Sequence, residues 1–442
     1  MIKLSSILKG PALYQRAKKL IPGGTNLLSK RPEMYLPEKW PSYFKSAKGV
    51  EVVDLDGNTF IDMCTMGIGA CILGYADNDV NSAVKKAIDA GIATTLNVPE
   101  DIELGELLCK LHPWAKMVRY SRSGGEAMAI AVRIARSYSK KDVVVFCGYH
   151  GWTDWYLAAN LSEEDTLDGH LLPGLEPSGV PRKLQGTALA FRYNKLDELK
   201  RIVAEYGAEI GTIVMEPQRG TYPEKGFLIS VREIANSIDA VLIFDEISTG
   251  FRMVAGGIHL LHNVDPDIAV FAKAIANGYA MSAIIGKEEV MQAAQSTFIS
   301  STNWTERIGT VAAISTINKY IEKDVAEHII RIGQRVKLGW KETSVAAELN
   351  ISVSGLPTIC SFSFNYELKF ELVALFVQLM LEKGYLAFTQ FRPSFAHTEK
   401  IVDKYIDAVG KSFIEIKTAI DNDDVSNLLV SSAAHSGFSR LN

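Results

Sequence analysis

Lys273 stands directly after the apolar run Ile268 to Ala272, in the stretch PDIAVFAKAIANGYA. An ammonium there either snorkels to water along its own methylenes or serves as a nucleophile held at a strand's end. Three further groups have the residue types and placement to work with it. Ser123, Gly124 and Gly125 precede EAMAIAVRIARSY, whose apolar spacing predicts a helix over 126–138. A helix start offers free backbone N–H groups to an anion, and glycine lets the anion come close. Asp245 ends the apolar stretch VLIFD; a carboxylate buried there needs a cationic partner, unless it is a surface or helix-capping aspartate. Tyr149 or His150, just past VVVFCG, could lay a ring flat against a planar ligand. An anion cradle, a carboxylate, a flat ring and an amine are together what pyridoxal phosphate requires for its phosphate, its protonated ring nitrogen, its ring face and its aldehyde.

These groups need a scaffold that brings strand ends together. Apolar runs at 142–148, 211–217, 240–246, 267–273 and 282–287 alternate with helical patterns, which predicts a mainly parallel α/β sheet covered on both faces. Ligands of such sheets sit at the carboxyl ends of the strands. The DG turn within VEVVDLDGNTFIDM predicts a hairpin over 50–63, and long helices follow residue 310. The expected division is a large domain over 80–310 and a smaller α+β domain from 1–79 and 311–442. The polar tail after Asp421 is expected to be poorly anchored. With a formal charge of −4 over 442 residues, no basic field exists for nucleic acid. No run approaches the ~20 apolar residues of a membrane span and no secretory leader is evident, so a cytoplasmic protein without a membrane partner is expected. Five cysteines and eight histidines lack zinc-site or disulfide spacing, which argues against a metal and for reduced, buried thiols.

The chain as a whole resembles the class III, fold type I pyridoxal-phosphate aminotransferases, and within that family most the glutamate-1-semialdehyde aminomutase branch. The similarity runs in order through LIPGGTN (20–26), DLDGNTFIDM, SGGEA, YHGWTD, LEPSGVP (175–181), DEISTGFR, PDIAVFAKAIANG and FAHTEK (395–400). The resemblance implies a seven-stranded, mainly parallel sheet in the large domain, and a homodimer with shared active sites. It makes Lys273 the Schiff-base lysine and acid/base, and Asp245 the partner of the pyridine nitrogen. Ile247 becomes the aliphatic residue under the ring and Tyr149 the stacking aromatic. Ser123, Gly124 and Gly125 become the phosphate loop, while Glu216 and Ser248 line the pocket. The implied activity is ping-pong transfer of an amino group from a small-molecule donor to an aldehyde or ketone. An intramolecular aminomutase is the alternative, because the segment 152–183 resembles that enzyme's mobile lid.

The departures from the family pattern bear on the substrate. Gly125 replaces the threonine of the usual SGTEA and removes a hydroxyl from the phosphate. Arg122 stands where asparagine is common, and either adds charge to the loop or faces solvent. The threonine that a neighbouring subunit gives to the phosphate should lie in SSTNWTERIG, as Thr302 or Thr305. Lys30 takes the place of an arginine that holds a substrate carboxylate, and a point charge lacks the bidentate fork. Trp152 takes the place of the second histidine of YHGH. Lys30 and Trp152 are therefore candidate substrate residues for something other than glutamate 1-semialdehyde. Arg392 reads as a carboxylate binder or as a surface or helix-capping residue, His397 as structural, and Cys147 as a small buried apolar residue.

Overall fold

The computed structural model describes residues 2–162, 165–170 and 174–435. Its contacts divide the chain into two compact units, one made of the residues up to Asp77 with those from Glu327 onward, the other of Asn78–Ala326. In the first unit, strands β1 (Phe44–Lys48), β2 (Glu51–Asp54) and β3 (Thr59–Met63) pair antiparallel. The Asp54 carboxylate accepts from the N–H groups of Asp56 and Asn58 at 2.9 and 2.8 Å, and Gly57 takes φ +89°, so the DG turn closes the expected hairpin.

The second unit holds β4 (Met117–Ser121), β5 (Val143–Cys147), β6 (Ala188–Ala190), β7 (Ile210–Met215), β8 (Val241–Asp245), β9 (Ile268–Phe271) and β10 (Ser282–Gly286) in one seven-stranded sheet, ordered β4-β10-β9-β8-β7-β5-β6. Only β10 runs antiparallel to its neighbours. Strands β5, β7, β8, β9 and β10 are buried along their whole length. On one face Val144, Val214, Ile243 and Val270 meet Met128, Ala131 and Ile134 of the helix Gly124–Ser139. On the other, Val145, Ile213, Leu242 and Phe244 meet Phe227, Leu228 and Val231. Covered faces make a strand a continuous apolar run, and these are the five runs that the sequence displays. The second boundary falls after Ala326 instead of at 310, because the helix Ile308–Glu322 packs on Asn78–Asp89 and Glu100–Leu111 of this unit.

The rest of the chain returns to the first unit with β11 (Ile351–Leu356), β12 (Ile359–Phe364), β13 (Tyr385–Ala387) and β14 (Gln390–Phe391). Strand β13 pairs parallel with β3, so both ends of the chain share one sheet. The tail departs from expectation: Val425 and Ala434 are buried, and the His435 N–H donates to the Glu33 carbonyl at 2.8 Å. Apolar side chains within the polar stretch anchor it as far as residue 435. Residues 436–442 of that tail, and 163–164 and 171–173 of the segment 152–183, lie outside the described residues. Among those described, no helix is long and apolar enough to cross a membrane, and no cluster of side chains could hold a metal.

Two histidines are fixed as neutral rings. In the first unit His397 donates from Nε2 to the Asp62 carbonyl at 2.9 Å, while Nδ1 accepts from Ser394. In the second, His112 donates from Nδ1 to the Leu108 carbonyl and accepts from Gly257 N–H. Burial pushes both imidazoles from the ordinary 6.5 down to about 4. Above pH 6.5 neither state is protonated at these rings; below it the unfolded chain takes protons that the folded chain refuses. Stability should therefore fall as pH drops from about 6.5 toward 4, by on the order of 3 kcal/mol per ring. Denaturant midpoints between pH 7 and 5 check this: His397→Gln should show a shallower fall than the parent, and identical slopes would remove His397 from the account.

Candidate active site

The carboxyl ends of β8 and β9, paired in parallel with Asp245 opposite Val270, carry the two central groups. Lys273 follows β9 after one residue and takes φ +50°, the left-handed region that costs a residue with a Cβ about 1–3 kcal/mol. Its Nζ donates to the Ser248 Oγ at 2.8 Å. Asp245, only 3% exposed, ends β8. Its Oδ1 accepts from the Ile247 N–H at 3.0 Å, and its Oδ2 lies 2.8 Å from His150 Nδ1. The other ring nitrogen of His150, Nε2, donates to the Cys147 carbonyl at 3.1 Å. A carbonyl can only accept, so that assignment is fixed, and one proton lies between Nδ1 and Oδ2. The buried carboxylate thus has the partner its position demands. His150 is consequently excluded as a stacking face: it is buried, its edge is taken by Asp245, and its ring lies near-parallel to Trp155. Tyr149 alone is left for that task.

Ser123 caps the helix Gly124–Ser139. The Glu126 carboxylate accepts from Arg122 N–H, Ser123 N–H and Ser123 Oγ at 3.1, 3.0 and 3.2 Å. The serine hydroxyl is therefore spent on the cap, while the first-turn N–H groups of Gly124 and Gly125 have no partner within the helix. The cradle leaves no room for side chains. A Cβ on Gly124 would come within 3.0 Å of Ile247 Cδ1, and one on Gly125 within 2.8 Å of Trp152 Nε1. Ile247 and Trp152 thereby join the loop.

At the ends of β5 and β7, Glu216 Oε2 accepts from Tyr149 N–H at 3.4 Å and pairs with Arg219 Nη1 at 3.3 Å. Glu216 and Arg219, with Cys147, His170 and Tyr193, line a cavity of about 160 Å³. Arg219 was not singled out from sequence, although a cation three residues after Glu216 in MEPQRG was the available signal. Glu216 holds its guanidinium still more firmly protonated, and Asp245 and Tyr149 also act on it. Burial pushes the Cys147 thiol far up, which suits a packing residue and not a nucleophile.

The remaining candidates have other surroundings. Thr302 and Thr305 are exposed on a short turn, where the Thr305 hydroxyl donates to the Thr302 carbonyl at 2.8 Å. Arg122 neither faces solvent nor adds its charge to the loop. It is largely buried, bonds the carbonyls of Asn303, Trp304 and Glu306 at 2.9, 3.0 and 2.6 Å, and pairs with the Glu306 carboxylate. Lys30 belongs to the first unit, where it lines a cavity of about 400 Å³ with Tyr35, Trp40 and Asp62. Arg392, in the same unit, is buried, which removes the surface alternative for it.

The residues of the second unit fit pyridoxal phosphate: unpartnered N–H groups in a cradle without side chains for a dianion, a buried carboxylate for a ring nitrogen, and an amine at the adjacent strand end. Residues 37–412 match the aminotransferase class-III family. The 3-aminobutyryl-CoA aminotransferase of Cloacimonas acidaminovorans (strain Evry) is 32% identical over 94% of this chain and 99% of that protein. The glutamate-1-semialdehyde 2,1-aminomutase of Akkermansia muciniphila is 30% identical over 90% and 97%. Among solved structures, the FumI protein of Sphingopyxis sp. MTA144 in its PLP internal aldimine form superposes with a TM-score of 0.85 at 20% identity, covering 96% of this chain and 99% of that one. An omega-transaminase from Sphaerobacter thermophilus superposes with 0.81 at 24%, covering 93% and 98%. The chain belongs to the class III aminotransferase family, with the fold type I architecture and pyridoxal phosphate as its cofactor.

Proposed function

We propose that this aminotransferase carries an amino group from a small-molecule donor to an aldehyde or ketone in two half-reactions, with Lys273 as covalent anchor and proton carrier. The observation that carries the reading is the Lys273 amine beside Ser248, one strand away from the buried Asp245–His150 pair. Bound pyridoxal phosphate supplies an aldehyde that takes up the amino group and a ring that draws electrons from the breaking C–H bond. Asp245 holds the proton of the ring nitrogen, and His150 behind it keeps the carboxylate aimed. Gly124 and Gly125 would present their N–H groups to the phosphate, and Tyr149 and Ile247 would pack against the ring. With the cofactor bound, the Lys273 amine would carry a proton from the donor carbon to the cofactor's aldehyde-derived carbon in the first half-reaction, and in the opposite sense in the second. Ser248 Oγ keeps that amine in place.

The working unit is a homodimer. Thr302 and Thr305 are exposed and free to reach a neighbouring copy's phosphate, and Leu96 and Phe298 expose 79% and 93% of their surface, which suits burial between subunits. Five free thiols fit the reducing cytoplasm. For the substrate, Arg219 offers a cation beside Tyr149 for an acidic group, and Lys30 stays a candidate for the same task. A second reading, an intramolecular aminomutase, draws on the 30% identical relatives of that name.

Borohydride reduction of the yellow protein should fix the cofactor to Lys273, and Lys273→Ala should keep some cofactor without transamination; label on another lysine would overturn the anchor. Asp245→Asn should slow turnover by on the order of 10² or more, equivalent to about 2.7 kcal/mol of barrier. Near-normal single-turnover rates in that variant would remove Asp245 from the ring nitrogen. Glutamate 1-semialdehyde should be a poor substrate next to bulkier amines and carbonyls, since Lys30 lacks the fork of an arginine. Efficient formation of 5-aminolevulinate without an external donor would instead establish the aminomutase.

A further inference from the structure

Gly125 and Trp152, twenty-seven positions apart by the numbering, meet in space. A Cβ at Gly125 would stand 2.8 Å from the indole Nε1, closer than such atoms approach, and 3.2 Å from Cδ1, a tight contact. The indole and a side chain at 125 therefore exclude each other. The contact is fixed by backbone: Gly151 takes φ +105°, and a Cβ there would lie 3.3 Å from the Gly125 Cα, so the loop carrying Trp152 rests directly on the first turn of the helix. Nε1 can only donate, and among the described residues no hydrogen bond engages it. Trp152 is 69% exposed, so an arriving ligand can reach its side chain.

We propose that the Trp152 indole N–H is a ligand of the cofactor's phosphate, occupying at Gly125 the space from which a side-chain hydroxyl would otherwise donate. The proposal rests on the phosphate lying at the start of the helix Gly124–Ser139. An N–H bond to a dianion is charge-assisted and among the stronger kinds. It joins the backbone donors of Gly124 and Gly125 without adding net charge. Glycine at 125 then has a reason beyond conformational freedom, because any larger residue would push the donor away. Trp152 serves the cofactor in this account and not the substrate.

Full-length apoprotein of the parent and of each variant, checked for an unchanged far-ultraviolet circular dichroism spectrum, is titrated with pyridoxal phosphate and with pyridoxal, and followed by visible absorbance. Trp152→Phe keeps a ring and loses the donor, so Kd for pyridoxal phosphate should rise about tenfold or more while Kd for pyridoxal stays within about twofold. Gly125→Thr alone should also weaken pyridoxal phosphate, since it displaces the indole. Gly125→Thr with Trp152→His restores a hydroxyl in vacated space, and should bind more tightly than the product of the two single effects predicts. Parent-like binding of both ligands by Trp152→Phe, an equal loss for both, or purely multiplicative effects in the double variant would overturn the proposal. A parent protein that binds the two ligands equally would overturn the placement of the phosphate itself.

Discussion

A carboxylate buried at the end of a strand must be given a proton or a cation, and most of the site follows from how Asp245 receives one. Its partner is His150, pinned from the far side by the Cys147 carbonyl at the end of β5. Once that imidazole points inward, the residues around it have little choice. The chain enters and leaves the histidine through Gly148 and Gly151, both with positive φ, which allows a reversal tight enough to keep the loop against the sheet. Tyr149 is then directed toward Glu216 and Trp152 toward the start of the helix Gly124–Ser139. Desolvation of one aspartate therefore sets the position of an aromatic ring, an acid and an indole.

Legibility from sequence followed burial. Strands covered on both faces announce themselves as unbroken apolar runs, and all five such strands could be read. Strand β4, part-exposed and carrying Arg119, and β6, of three residues, give no comparable signal. Their order in the sheet, with β10 reversed between β4 and β9, is set by contacts far apart along the chain. The same holds within the site. Lys273 and Asp245 could be located because each ends a strand. The roles of His150 and Arg122 could not, since one depends on a carboxylate 95 residues away and the other on carbonyls some 180 residues on. A residue type and its local context leave open which distant group it will meet.

The two boundaries show the same limit. A switch from strand-rich to helix-rich sequence near 310 marks a change of local structure, not of contacts. The helix Ile308–Glu322 stays with the unit that precedes it because Ile314, Ile317 and Tyr320 are buried there. In the first unit the pairing of β13 with β3 makes the two ends of the chain mutually dependent, so neither end can complete its sheet alone.

The left-handed backbone at Lys273 has a consequence for how this chain can change. At φ +50° a glycine or asparagine would sit with less strain than the lysine does. The position proposed for the reacting amine is thus one where other residues would make a sturdier protein. Selection for thermal robustness alone would tend to erase the amine, and a hardened but inert relative is a short step away in sequence.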